Sequence, residues 1–205
     1  MDEKNIKIAV NGGIGFGAKL TSQQLIAIAN RIGDIELELT TFQQLYLEIP
    51  ESQIDDAIKE FEAVGLKCYP VGNVVKSLRT CNFCKGEIEE GMPVAKEINN
   101  RTAGKEVPFT VKIAYTGCPV GCGEPLINDI GIMKVRDKYN LYIGGSSKGH
   151  DAKAGTLLFE NLDPDELYQY IDRFLMKYIE LGKKRETVSK FIKRVGLEEI
   201  KTAIK

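Results

Sequence analysis

The chain has 205 residues with 43% hydrophobic and 28% charged side chains, a globular balance that excludes a disordered or fibrous polymer. Its net charge is −1 and its pI about 6.0, so no global basic field recruits nucleic acid or an acidic membrane surface, and any anion must be bound locally. No apolar run reaches membrane-spanning length and the opening MDEKNIKIAV lacks a signal-peptide core, which predicts a cytoplasmic protein in which five cysteines need another explanation than disulfides.

Residues 6–10, IKIAV, read as a short buried strand followed by the glycine-rich NGGIGFG. Gly13, Gly15 and Gly17 miss the G-x-G-x-x-G spacing and no P-loop lysine follows, so neither phosphate-cradling loop is supported. From Thr21 the apolar positions Leu25, Ile28, Ala29 and Ile32 follow helical spacing, with Thr21 or Ser22 as the cap and Gly33 as the stop. IELELTTFQQLYLEI alternates as two strands or one bent strand. Pro50 then opens a helix carrying Ile54, Ala57, Ile58 and Phe61 that ends near Gly65. Strand, helix, strand, strand, helix is the order of a ferredoxin-like half, assigned to residues 1–69.

A second domain is expected over residues 70–205. It opens with a cysteine-bearing turn, continues with a helix around 89–102 and a strand FTVKIAYT over 109–116, and then forms a hairpin from IGIMKV and YNLYIGG. SSKGHDAKAG reads as a polar loop, and its His150, the one histidine of the chain, reads as exposed to solvent. Asp163, Pro164 and Glu166 make a strong helix start, and Leu167, Tyr170, Ile171, Phe174, Leu175 and Tyr178 form a core stripe. Residues 184–204 read as basic helices with a solvated charged face. The fold class is therefore α+β, a ferredoxin-like half-domain followed by an α/β domain.

Cys81 and Cys84 form C-x2-C, Cys118 and Cys122 form C-x3-C, and 33 residues lie between the pairs. Thiolates are soft ligands suited to zinc or to iron–sulfur clusters, and close pairing lets one turn present two sulfurs to one centre. The helix and strand expected between the pairs mean that they meet only through tertiary structure. Cys68 stands alone and reads as a small core residue.

GCPVGC followed by DIGIM resembles the cluster-binding segment of the siroheme-dependent sulfite and nitrite reductases, here their low-molecular-weight, single-module branch. The likeness extends over roughly residues 5–180: GAKLTSQQLIAIAN and IELELTTFQQLYLEIP resemble the family's half-domain, VVKSLRTC the approach to the first cysteine, PFTVKIAYTGCP the strand entering the second pair, and YNLYIGG a later glycine-bearing strand. The resemblance implies a [4Fe-4S] cluster on Cys81, Cys84, Cys118 and Cys122, with Cys122 bridging to siroheme iron. It further implies that Gly117 and Gly121 let backbone approach the cofactors, and that Lys112, Lys76 and Arg79 face the siroheme carboxylates and a small inorganic anion as catalytic cations. Sulfite or nitrite would be the substrate and a low-potential, ferredoxin-like protein the electron donor, with a homo-oligomer or another chain completing the single module. The alternative is a non-catalytic electron-transfer or tetrapyrrole-binding protein derived from this family. The sequence departs from the family's pattern at Phe42 and Thr110, where the family carries cations, at Val120, where it has asparagine, and in the first pair, where C-x5-C is commoner.

Overall fold

The computed structural model describes residues 4–14, 19–82, 84, 91–150 and 152–205. Gly15 and Gly17, the start of the helix expected from residue 89, and part of the SSKGHDAKAG loop therefore lie outside the described residues. The chain divides into two compact units, Met1–Val71 and Gly72–Lys205.

In the first unit, β1 (Asn5–Asn11), α1 (Ser22–Ile32), β2 (Glu38–Leu39), β3 (Leu45–Pro50), α2 (Ile54–Ala63) and β4 (Lys67–Pro70) follow one another. The sheet runs β2-β3-β1-β4 with every pairing antiparallel, which is the ferredoxin-like arrangement. IELELTTFQQLYLEI thus resolves into two strands.

Local chemistry sets the helix ends. Thr21 and Gln24 complete a capping box at the start of α1, and Gly33 closes it with a φ of +58°. The buried face of α1 is Gln24, Ala27 and Ile28, while Leu25 is half exposed. Gln24 is drawn inward because its side chain accepts the Thr21 N–H and donates to the Val64 carbonyl, which turns the helix away from the face expected from its apolar residues. Val10, Phe61 and Leu66 are fully buried in the core beneath the sheet, each contributing about 1.5–3 kcal/mol of transfer free energy. Cys68 packs against that core, and burial pushes its thiol up to about 11.

The second unit holds β5 (Arg79–Thr80), α3 (Met92–Thr102), β6 (Ile113–Thr116), β7 (Ile130–Val135), β8 (Lys138–Ile143), β9 (Thr156–Leu162), α4 (Pro164–Leu181), α5 (Val188–Val195) and α6 (Leu197–Ile204). Its sheet runs β5-β6-β7-β8-β9, with β5, β6 and β7 parallel and β7, β8 and β9 antiparallel. Strand β9, TLLFENL, has no counterpart among the expected elements. The strand expected over 109–116 forms its ladder only from Ile113, because the Lys112 N–H donates to the Asp129 carboxylate instead of a strand carbonyl.

Helix α4 begins at the expected capping box, with Asp163 and Glu166 exchanging bonds and Pro164 in the first turn. Its stripe Leu167, Ile171, Phe174, Leu175 and Tyr178 is buried, while Tyr170 stacks on Phe159 of β9 at 4.2 Å. The Tyr178 hydroxyl donates to the Glu186 carbonyl, tying α4 to the turn before α5. No helix among the described residues is long and apolar enough to cross a membrane.

Candidate functional site

Parallel strands place their carboxyl ends at one edge of a sheet, where open α/β sheets bind ligands. β5 and β6 are neighbours with Thr80 opposite Tyr115, so Cys81, the residue after β5, arrives level with Thr116, the last residue of β6. The GCPVGC loop follows directly. Two cysteine-bearing segments far apart in sequence are thereby brought to one edge.

Cys81 is buried, and its Sγ lies 3.4 Å from the Gly117 N–H and 3.6 Å from the Thr116 hydroxyl. Its own N–H donates to the Tyr115 carbonyl over 3.4 Å. Thr116 is fully buried and its hydroxyl also accepts the Gly123 N–H at 3.5 Å. Cys118 is half-buried, while Cys84 and Cys122 are exposed. Among the described residues, no three Cys, His, Asp or Glu side chains stand together closely enough to hold a single metal ion. A four-iron cluster places its ligands further apart than one ion does, and N–H donors to cysteine sulfur are the bonds that tune it. The donor set of four thiols with a backbone N–H on Cys81 suits the cluster.

The loop is folded tightly against the strand ends. Gly121 has a φ of +78° and donates its N–H to the Cys118 carbonyl over 3.2 Å. At Gly123 a Cβ would stand 2.0 Å from the Tyr115 carbonyl oxygen, so only glycine admits the approach. Glu124 has a φ of +56° and its N–H donates to the Gly121 carbonyl at 2.8 Å. Val120 is 80% exposed. A cavity of about 240 Å³ opens beside the loop, bounded by Pro119, Val120, Glu124 and Met133.

Cations gather at the other end of β6. Lys112 is half-buried at its start, and Lys76 donates its N–H to the Val111 carbonyl over 2.9 Å. Burial lowers the proton affinity of Lys112, and the charges of Lys148, Lys76 and Arg79 lower it further against the opposing pull of Asp129. Burial pushes the Asp129 carboxyl up to about 6 despite the Lys112 N–H bond it accepts at 2.9 Å. Lys76 and Arg79, both expected from sequence, therefore lie within electrostatic reach of Lys112, which was expected with them. Arg79 also makes an ion pair with Glu124, Nη2 to Oε2 at 2.5 Å.

Lys148, Asp129, Thr116 and Glu124 did not emerge as site residues from the sequence. DIG and TGCP framed two of them, but which side chains meet across strands is a matter of register. Phe42 is buried, and the Thr110 hydroxyl donates to the Gly72 carbonyl over 2.7 Å. His150 is exposed.

Residues 73–205 match the family model described as the nitrite and sulphite reductase 4Fe-4S domain. Among curated proteins, the chain is 29% identical over 94% of its length to 36% of a cobalt-factor III methyltransferase of Priestia megaterium. It is 32% identical over 59% of its length to 55% of an assimilatory-type sulfite reductase of Nitratidesulfovibrio vulgaris. It is also 25% identical over 92% of its length to 24% of the nitrite reductase [NAD(P)H] of Bacillus subtilis. The chain thus spans between about a quarter and a little over half of these relatives. In fold it is similar to dissimilatory sulfite reductase I, with a TM-score of 0.75 at 14% identity, covering 98% of this chain and 68% of that one. The Mycobacterium tuberculosis NirA protein gives a TM-score of 0.55 at 22% identity, covering 97% of this chain and 39% of that one. With the cysteine pairs at adjoining strand ends and the family model spanning most of the chain, this protein belongs to the nitrite and sulphite reductase 4Fe-4S domain family.

Proposed function

We propose that the chain is an oxidoreductase module that reduces sulfite or nitrite with electrons from a low-potential, ferredoxin-like donor. In this reading Cys81, Cys84, Cys118 and Cys122 hold a [4Fe-4S] cluster, and Cys122, exposed at the far end of the loop, also faces siroheme. The observation that carries the reading is the arrangement along β6, with Cys81 and the loop of Cys118 and Cys122 beyond Thr116 and cations around Lys112. Bound cluster and siroheme supply single-electron transfer to the anion.

The chain's own residues then have distinct tasks. Lys76, Lys112 and Lys148 supply the positive field that draws a small anion out of water, which a chain of net charge −1 offers only locally. Lys112 also suits proton delivery, because an ammonium of lowered proton affinity is a stronger acid near neutral pH. Asp129 holds the Lys112 backbone in place through the accepted N–H bond. The Gly117 N–H and the neighbouring Thr116 hydroxyl orient the Cys81 sulfur.

The test is anaerobic production with siroheme supplied, followed by absorption spectroscopy and steady turnover of sulfite and nitrite with a reduced viologen dye. Siroheme bands and turnover of either anion are expected. Their absence from iron-loaded protein overturns the enzyme reading.

A second reading, a non-catalytic electron-transfer or tetrapyrrole-binding module, has its own support. Phe42 and Thr110 replace two of the family's cations, and the relative matched over 94% of the chain is named a methyltransferase. Protein that retains cluster and tetrapyrrole but turns over neither anion would favour it.

A further inference from the structure

Arg79 and Glu124 are 45 residues apart in sequence, yet they occupy equivalent places. Arg79 stands two residues before Cys81, and Glu124 two residues after Cys122. Their ion pair therefore joins the segment bearing the first cysteine to the segment bearing the last, without using any cysteine. The Arg79 side chain is 12% exposed and that of Glu124 is 44% exposed, so the contact is partly shielded from water and strengthened by it.

The two segments need such a link. β5 has only two residues, and its ladder to β6 is correspondingly short. The loop's own bonds, Gly121 to Cys118 and Glu124 to Gly121, give it shape but do not fasten it to β5. The Gly117 N–H does cross to Cys81, but its acceptor is a sulfur that the bound cluster also engages. The backbone of Glu124 points the same way. It takes left-handed angles that glycine or asparagine adopts more easily, its N–H donates to the Gly121 carbonyl and its carbonyl accepts the Asn128 side-chain N–H at 2.8 Å, so the backbone that carries the carboxylate is held from both sides.

We propose that Glu124 is a positioning residue whose ion pair with Arg79 clasps the Cys118–Cys122 loop to the β5 end that carries Cys81. Arg79 is thereby engaged in the clasp, and anion capture falls to Lys76, Lys112 and Lys148. The role at a cluster rests on the reading proposed above; the clasp itself does not.

The test compares the full chain as wild type, Glu124→Gln, Arg79→Gln, and the exchanged pair Arg79→Glu with Glu124→Arg. In protein without iron, amide hydrogen exchange over residues 117–124 is expected to quicken by roughly threefold or more in each single variant and to return to within about twofold of wild type in the exchanged pair. Amides of α4 serve as the internal reference, and Arg79→Lys replaces Arg79→Gln if α4 loosens too. In iron-loaded protein, loss of iron to a chelator should follow the same order. The cluster potential should rise in Glu124→Gln and fall in Arg79→Gln, opposite shifts that a loss of packing alone would not give. Single variants that exchange like wild type, or an exchanged pair no better than the singles, overturn the clasp. Wild-type protein that takes up no cluster overturns the cluster reading, while the exchange measurements still decide the clasp.

Discussion

The Gly117 N–H points at Cys81 Sγ from 3.4 Å across two neighbouring strand ends. A backbone donor already aimed at a buried sulfur holds the Cys81 side chain in place for a ligand's role. Serine at 81, 84, 118 or 122 should therefore remove most of the iron and acid-labile sulfide from anaerobically prepared protein. Cys68→Ser should leave both unchanged, because Cys68 packs against the core of the first unit. Metal and sulfide analysis of the five variants checks this.

Asp129 should imprint a specific pH dependence on stability. Its folded carboxyl titrates at about 6, against 3.8 ordinarily, so the folded chain holds the proton more tightly than the unfolded one. The resulting stabilisation is fully present below about pH 4 and is lost as the pH rises through 6. Wild type should lose about 2–3 kcal/mol relative to Asp129→Asn between pH 4 and pH 7. Asparagine keeps an acceptor for the Lys112 N–H. Denaturant titrations of both proteins across that range provide the measurement. Glu186 acts with the opposite sign, its carboxyl held down at about 2 by Arg194, so its contribution disappears only as the pH falls below about 4.5 and cancels in the comparison.

Gly123→Ala should be costly well beyond helix or turn propensity. The added methyl meets the Tyr115 carbonyl oxygen at 2.0 Å, and both partners are backbone, so the loop must move by more than a side chain could absorb. A loss of about 2–3 kcal/mol is expected, accompanied by lower iron content. Gly121→Ala, whose strain is only the left-handed angle, should cost about 1–2 kcal/mol. Thermal unfolding of the two variants separates close approach from backbone angle.

Removing the Lys112 charge with methionine should weaken sulfite or nitrite binding to the loaded protein by roughly tenfold, the loss of one charge-assisted hydrogen bond. Lys148→Met should have a smaller effect on affinity and should raise the proton affinity of Lys112, since Lys148 is its foremost charged opponent. Calorimetric titration gives the affinities, and lysine side-chain NMR follows the titration.

What the sequence announces is mostly local. The Thr21 and Asp163 boxes, the Gly33 stop and the α4 stripe depend on residues three or four apart, and each forms where that spacing places it. The buried face of α1 departs from its apolar spacing because Gln24 finds a partner 40 residues away. β6 is shorter than its apolar run because the Asp129 carboxylate takes the Lys112 N–H. Strand β9 reads poorly because its burial follows no simple alternation, with Leu158 and Phe159 buried side by side. The cysteines announce themselves by pairing in sequence. Lys148, Asp129 and Glu124 acquire meaning only through their neighbours in space.

Strand β6 fixes the distance between its lysine end and its cysteine end. At about 3.3 Å per residue, the four steps from Lys112 to Thr116 at the end of β6 span about 13 Å, and its paired neighbours leave that spacing no freedom. Replacements at 110 or 112 can redraw the charge offered to an anion while the thiol end stays undisturbed. A single residue inserted between them would instead turn Lys112 to the opposite face of the sheet. The strand is therefore a fixed spacer that allows point substitution at its Lys112 end and forbids changes of length.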